Sequence, residues 1–417
     1  MSAPIQEDPT LHVETLPAAN TEIGALLKRL RAGDSGLLPV ILGLIALVLY
    51  FYFRNHVFLH PENLTNLFIQ STVFILLGMA EIWLLLLGEI DLSLGFVLGI
   101  GGAVATITTS VAWNWPWYLA FAAALALTSL ISLISGLLTV YLKLPSFIVT
   151  LAGQIGLEGV LIYIIDRENA GGTVPVQNHF LYNLVFGNFT PLWTWLFFVI
   201  VIGVASLLML SAYRRRRLSG LVTQSIYFTF AKIAGLVIGG VALALIFNAD
   251  RSTFAVVKGM PFAIPIDIAM LVTGSFILSR TKTGRYIYAI GGSSEATRRA
   301  GVVVNRYRLL AFVFAGFTAG VAGLLYASNL GGMSDAMPGG TYVLYGIAAA
   351  VIGGTSLFGG RGKMIHAVIG GLIIATIYNG MALISISTAV QFMVIAIVLI
   401  AAVTVDSIAR RGKDAGR

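Results

Sequence analysis

The chain contains no cysteine. That excludes disulfides, thiolate metal sites and a cysteine nucleophile. Histidine is nearly as scarce, with five scattered residues and no HExxH or other paired spacing that would hold zinc. Charge is scarce as well. Asp, Glu, Lys and Arg make up 11% of the 417 residues, 58% are hydrophobic, and the mean hydropathy is +0.91. Soluble globular proteins carry roughly 25% charged residues, so a water-soluble fold is excluded. What the chain has in quantity is glycine, 46 in all, and long apolar runs. Glycine is frequent in membrane helices because it lets backbones approach closely.

A helix crossing a bilayer needs about 20 predominantly apolar residues. Such runs fall near 37–53, 64–87, 92–111, 117–141, 146–165, 191–213, 226–247, 263–279, 308–327, 342–358, 365–384 and 388–405. The pattern predicts an all-α polytopic membrane protein of about twelve spans, with both termini on one side. Lys and Arg choose the side, because cytoplasmic loops carry the excess. With the termini cytoplasmic, Arg54, Arg167, Arg251 and Lys258 are the four basic residues outside, Lys232 lies within a span, and the remaining 21 of 26 are inside. The net charge of +8 is therefore positive-inside bias, and nucleic acid is not needed to explain it. Trp113, Trp115 and Trp117 cluster at an expected outer interface, where amphipathic rings anchor helices. Residues 1–36 read as a polar cytoplasmic tail with no cleaved signal, 37–405 as the transmembrane domain and 406–417 as a cytoplasmic tail.

Most loops are short and leave no room for a domain that does chemistry in water. The longest cytoplasmic one spans 280–307. Within it Ser293 or Ser294 can cap a short helix, Glu295 falls in its favourable first turn and Gly301 can end it. A two-turn helix clear of the membrane needs a partner surface, or it rests on lipid headgroups.

Four stretches resemble one family. Glu295-Ala-Thr-Arg-Arg-Ala-Gly301 is similar to the EAAxxxG loop of ABC importer permeases, with Thr at the second Ala. Glu89-Ile-Asp-Leu-Ser-Leu-Gly95, Leu144-Pro-Ser-Phe-Ile-Val-Thr-Leu-Ala-Gly153 and Val351-Ile-Gly-Gly-Thr-Ser-Leu-Phe-Gly-Gly360 resemble segments of bacterial monosaccharide ABC permeases. In order and spacing they cover roughly residues 60–410. The length and the extra span pair around 191–247 are most similar to the D-xylose branch. Departures stand at Phe96, Glu158 and Leu344–Gly346, and they bear on which sugar is carried. The resemblance implies a permease subunit in the bacterial cytoplasmic (inner) membrane, importing a small neutral sugar, D-xylose first among the candidates. It implies a coupling helix at Ser294, Glu295, Ala296, Thr297, Arg298 and Gly301 that docks on a separate ABC ATPase. ATP and Mg would sit on that subunit, with no cofactor or metal on this chain. A periplasmic or lipid-anchored sugar-binding protein and a second permease copy, a homodimer, are implied as well. The chain itself would have no catalytic residue. Its own nearest approach to a phosphate loop, Gly359-Gly-Arg-Gly-Lys363, lacks the leading Gly and the Ser or Thr after Lys.

Polar residues at membrane depth are candidates for a substrate path. Asp91 and Ser93 can cap the helix after the Gly88–Gly95 turn, and Phe96, Asn379 and Tyr345 could contact a sugar. Glu81, Gln154 and Gln391 also lie mid-span, while Asp267 falls near an outer end, within reach of water. The Gly88–Gly95 and Gly353–Gly362 turns each follow an inward span, which suggests a parallel repeat. An ATP-independent secondary transporter or channel is the other reading, with Glu81 and Asp91 as its titratable groups.

Overall fold

The computed structural model describes residues 38–220, 226–252 and 256–414. The tail expected over 1–36 lies outside the described residues, as do 415–417. In chain order the helices are α1 Leu38–Arg54, α2 Pro61–Leu85, α3 Leu94–Thr108, α4 Trp117–Tyr141, α5 Ser146–Glu168, α6 His179–Phe186, α7 Pro191–Leu218 and α8 Ile226–Asn248. They continue as α9 Ala263–Arg280, α10 Lys282–Gly292, α11 Ser294–Arg299, α12 Val304–Leu330, α13 Gly339–Ile352, α14 Met364–Leu383 and α15 Thr388–Asp414. Eight of them (α2, α4, α5, α7, α8, α9, α12 and α14) are long and apolar enough to cross a membrane. Four shorter apolar stretches, Pro39–Arg54, Leu94–Thr108, Gly339–Ile352 and Thr388–Ala401, lie on the other expected spans. The chain is a multi-pass membrane protein. One end of the bundle, with Arg280 to Arg308, is its basic end; the opposite end carries the three clustered tryptophans.

α2 and α12 form the centre. They run antiparallel, with Trp83 against Phe314 at 4.8 Å between ring centroids, and further along Phe74 stacks on Tyr342, which meets Tyr326 edge-on. Small residues make the close approaches. A Cβ on Gly323 would fall 2.2 Å from the Leu98 carbonyl oxygen, and one on Gly316 would fall 2.5 Å from that of Thr128.

Two helices are conspicuously short. α3 has 15 residues and α13 has 14, so each spans about 21–22 Å, short of the roughly 30 Å hydrocarbon layer. Each is preceded by a non-helical approach. Residues 89–93 climb from the basic end to the start of α3. Residues 331–338 descend along α3 from the other end. A Cβ on Gly102 would meet Met333, one on Gly99 would meet Met337, and one on Gly95 would lie 1.9 Å from the Gly339 carbonyl oxygen. The two short helices thus start backbone to backbone inside the bundle. Each also packs on the other's long neighbour, α3 on α12 and α13 on α2. The pairs α2–α3 and α12–α13 are therefore related by inversion. The Gly88–Gly95 and Gly353–Gly362 turns, from which a parallel repeat was expected, follow α2 and α13 and meet at the basic end, where a Cβ on Gly359 would fall 3.1 Å from the Gly88 nitrogen.

Other differences lie in the loops and at one acid. β1 (Thr173–Pro175) pairs antiparallel with β2 (Gly332–Ser334), and α6 lies on α12, held where Ser328 Oγ accepts the Val185 N–H at 3.0 Å and donates to the Tyr182 carbonyl at 2.8 Å. Asp267, expected to be wet, is 8% exposed, and its Oδ1 has no partner among the described residues. α9 turns that face inward beside Ser71 of α2 and Phe247 of α8. α15 continues helically through Asp414, so most of the expected tail from 406 extends that helix.

Candidate functional site: a basic-end helix pair and a mid-membrane crossing

The 280–307 loop folds as two helices. Thr281 caps α10, its hydroxyl oxygen accepting the Gly284 N–H at 3.3 Å. Ile287 and Ile290 are buried. Gly291 lies so close to the turn after α2 that a Cβ would fall 1.8 Å from the Leu86 carbonyl oxygen and 2.6 Å from the Gly360 nitrogen. Leu86 in turn accepts the Gly360 N–H at 2.9 Å. Tyr288 donates its hydroxyl to the Gly362 carbonyl at 2.6 Å, and burial raises its pKa above the ordinary phenol value, keeping it a donor. Arg308, in the first turns of α12, pairs with Glu89 at the foot of the 89–93 approach. α10 therefore clamps two turns at once, residues 86–89 and 359–362. The near-phosphate-loop stretch is one side of this clamp.

α11 stands on that base. Ser293 Oγ accepts the Ala296 N–H at 3.2 Å, and the Ser294 hydroxyl turns back to the Ile290 carbonyl at 3.3 Å. Thr297 is the only buried residue of α11, bonded through its hydroxyl to the Ser293 carbonyl at 2.8 Å. Glu295 pairs along the helix with exposed Arg299 at 3.1 Å, and Ala296 and Arg298 face outward. Gly301 ends the helix at φ +82°, a conformation that other L-residues adopt at a cost. Ser294, Glu295, Ala296, Thr297, Arg298 and Gly301 thus form one projecting feature with a single inward anchor.

The second part is the crossing. Asp91 Oδ1 accepts both the Ser93 N–H at 2.9 Å and the Ser93 hydroxyl at 2.5 Å. The Ser93 hydroxyl is spent on Asp91, so it makes no cap bond to α3, contrary to the expected double cap. The Leu92 N–H donates to Thr150 Oγ1 of α5 at 3.1 Å, satisfying backbone where no helix can. Beside this crossing lies a cavity of about 350 Å³ between α3, α5 and the start of α13, lined by Phe96, Gln154, Glu158, Pro338, Thr341 and Leu344 among others. Asp91 and Ser93 are fully buried just behind it. Asn379 and Tyr345 are elsewhere. Asn379 donates to Gln70 at 3.3 Å, and Tyr345 meets Phe74 edge-on at 5.4 Å in a separate aromatic cluster. Gln154 was noted only as a mid-span polar residue and Glu158 only as a departure bearing on the sugar, and neither was named as a sugar contact. Their signal was visible as two polar residues one helical turn apart on an apolar helix. Glu81 is fully buried with neither carboxyl oxygen partnered among the described residues. There is no group of three or more His, Cys, Asp or Glu able to hold a metal among the described residues.

Residues 63–403 match the family described as branched-chain amino acid transport system / permease component. The xylose transport system permease protein XylH of Escherichia coli is 34% identical over 381 residues, 89% of this chain and 92% of that one. The ribose import permease protein RbsC of Haemophilus influenzae is 29% identical over 368 residues, 88% and 91% of the two chains. The D-allose transport system permease protein AlsC of Escherichia coli is 28% identical over 349 residues, 84% of each. No solved structure matches the chain.

Proposed function

The chain belongs to the branched-chain amino acid transport system / permease component family, and from that premise we propose that it is the membrane-spanning permease subunit of an ABC importer for a small neutral sugar, D-xylose before ribose or allose. It does no chemistry of its own. ATP and Mg bind a separate ATPase subunit on the cytoplasmic face, a periplasmic or lipid-anchored binding protein delivers the sugar outside, and a second copy of this chain completes the path. In this reading the bundle crosses the bacterial inner membrane twelve times, with its basic end cytoplasmic.

The observation that carries the proposal is α11, a two-turn helix projecting from the basic end with only Thr297 turned inward. Such a helix buries too little to be there for stability, and a docking partner gives it a purpose. Its base, α10, grips the turn that leads to α3 and the turn that follows α13, so a push on α11 reaches the crossing through packed backbone. ATP can shift the path between outward and inward access only by its differential affinity for the two states.

Glu81 favours a second reading, because a buried unpartnered carboxyl is what a proton-coupled carrier would use. The test is uptake of labelled xylose by cells with and without this gene, its ATPase and its binding protein, run beside ribose, allose and leucine. ATP-dependent xylose uptake lost without either partner is the expected result. Uptake of another sugar keeps the mechanism and changes the substrate. Uptake that survives loss of the ATPase overturns the ABC reading in favour of the carrier.

A further inference from the structure

The cavity beside the crossing supports a more specific assignment, which rests on the importer reading. Glu158 is the 13th of the 23 residues of α5, so it sits about 18 Å along a helix of about 34 Å, at the middle of the membrane layer. There it is exposed on the surface of the chain, with no hydrogen bond or ion pair among the described residues. A carboxylate at that depth cannot face lipid without a large cost, so this face of α5 meets water or a polar solute. One turn nearer the basic end, Gln154 stands against the start of α13, where a Cβ on Gly340 would meet its amide nitrogen at 2.8 Å. Both residues line the 350 Å³ cavity, together with apolar Phe96 and Leu344. That volume suits a single small solute.

We propose that Glu158 and Gln154 contact the sugar as it passes and set which sugar is accepted. A carboxylate takes hydrogen bonds from a pair of neighbouring hydroxyls, and an amide one turn away both donates and accepts. Phe96 and Leu344 supply the apolar surface that a pyranose C–H face needs. Lys and Arg are absent from the lining, so the site suits a neutral polyol and disfavours an anion.

The absence of cysteine makes the test direct, because a single introduced thiol is the only one in the chain. The permease is reconstituted in proteoliposomes with its ATPase and binding protein. Glu158→Cys should react with a charged, membrane-impermeant thiol reagent, and xylose with its binding protein should slow the reaction. Val199→Cys, on the exposed face of α7, should stay unreactive. Glu158→Leu and Gln154→Ala should each lower xylose uptake about tenfold and change the xylose-to-ribose ratio, since a site built around a hydroxyl discriminates strongly. Co-purification of each variant with the ATPase should match wild type, because docking reads α11 and neither residue lies on it. An unreactive Glu158→Cys, or an unchanged sugar ratio in both variants, overturns the assignment. Joint loss of uptake and of co-purification with the ATPase in both variants overturns it too, by making the residues structural. Wild-type proteoliposomes without ATP-dependent sugar uptake would instead overturn the importer reading beneath it.

Discussion

α2 and α7 are both long apolar helices, and α7 is the more hydrophobic of the two, yet their fates are opposite. Within its most apolar window α2 is 83% buried inside the chain, whereas α7 is 6% buried. In water the greasier helix would be the core. In a bilayer lipid is as good a solvent for Leu and Val as protein is, so hydrophobicity no longer sorts helices inward. What sorts them is packing at close range and the need to shelter polar groups. α2 holds Ser71, Thr72, Gly78 and Glu81 among its buried residues, and the helices it meets bring Gly346 and Gly371 to the contact. α7 and α8 pair mainly with each other, joined to the centre through Phe247 against Phe68 at 5.6 Å.

Glycine substitution breaks this comparison most sharply. Gly323→Leu would drive a side chain into the Leu98 backbone where α3 crosses α12, and should cost about 3 kcal/mol or more, seen as loss of a monodisperse peak in detergent. Gly203→Leu on α7, where nothing lies within 4 Å, should leave the melting temperature unchanged within error. Equal effects at the two sites would remove the distinction between centre and periphery. Next in size is the clamp. Gly291→Val should abolish transport while the protein still inserts, because its Cβ would separate α10 from the turns at Leu86 and Gly360. Gly301→Asp and Glu295→Lys should likewise abolish transport with insertion intact, the first by straining the end of α11 and the second by reversing charge on its exposed face. Normal uptake in either variant would refute a coupling role for α11. The smallest effect belongs to Tyr288→Phe, which removes one hydrogen bond to Gly362 and should destabilise the detergent-solubilised protein by about 1 kcal/mol in a thermal melt.

Local features were legible in proportion to how local they are. The apolar runs mark where helices form, and the Ser293 cap, Glu295 and Gly301 mark α11 within a residue or two. α10 was missed because Lys-Thr-Gly-Arg-Tyr-Ile-Tyr carries a glycine in its first turn and is too short and too polar to read as a span. Its helix is secured by the burial of Ile287 and Ile290 and by the contacts of Gly291 and Tyr288 with turns that are distant in sequence. α6 and the β1–β2 pair escaped for the same reason, since their partners lie on or beside α12, more than a hundred residues away. Asp267 read as wet from its place near a span end, and only the rotation of α9 turned it inward.

The crossing shows where sequence stops. Composition by itself determined a membrane protein, the placement of its apolar segments and the side on which basic residues collect, because each of these depends on transfer from water to lipid, residue by residue. It also determined that Gly88–Gly95 would break a helix. Which helix starts meet, which of several polar residues share a cavity, and which faces turn to protein were decided only in three dimensions. Asp91, Ser93, Phe96, Asn379 and Tyr345 look alike along the chain as polar or aromatic residues among apolar ones. The fold places the first three at the crossing and the last two in another cluster. Phase preference is additive along a sequence, whereas the approach of Gly95 to Gly339 is a relation between two segments 244 positions apart, and it exists only once both are packed.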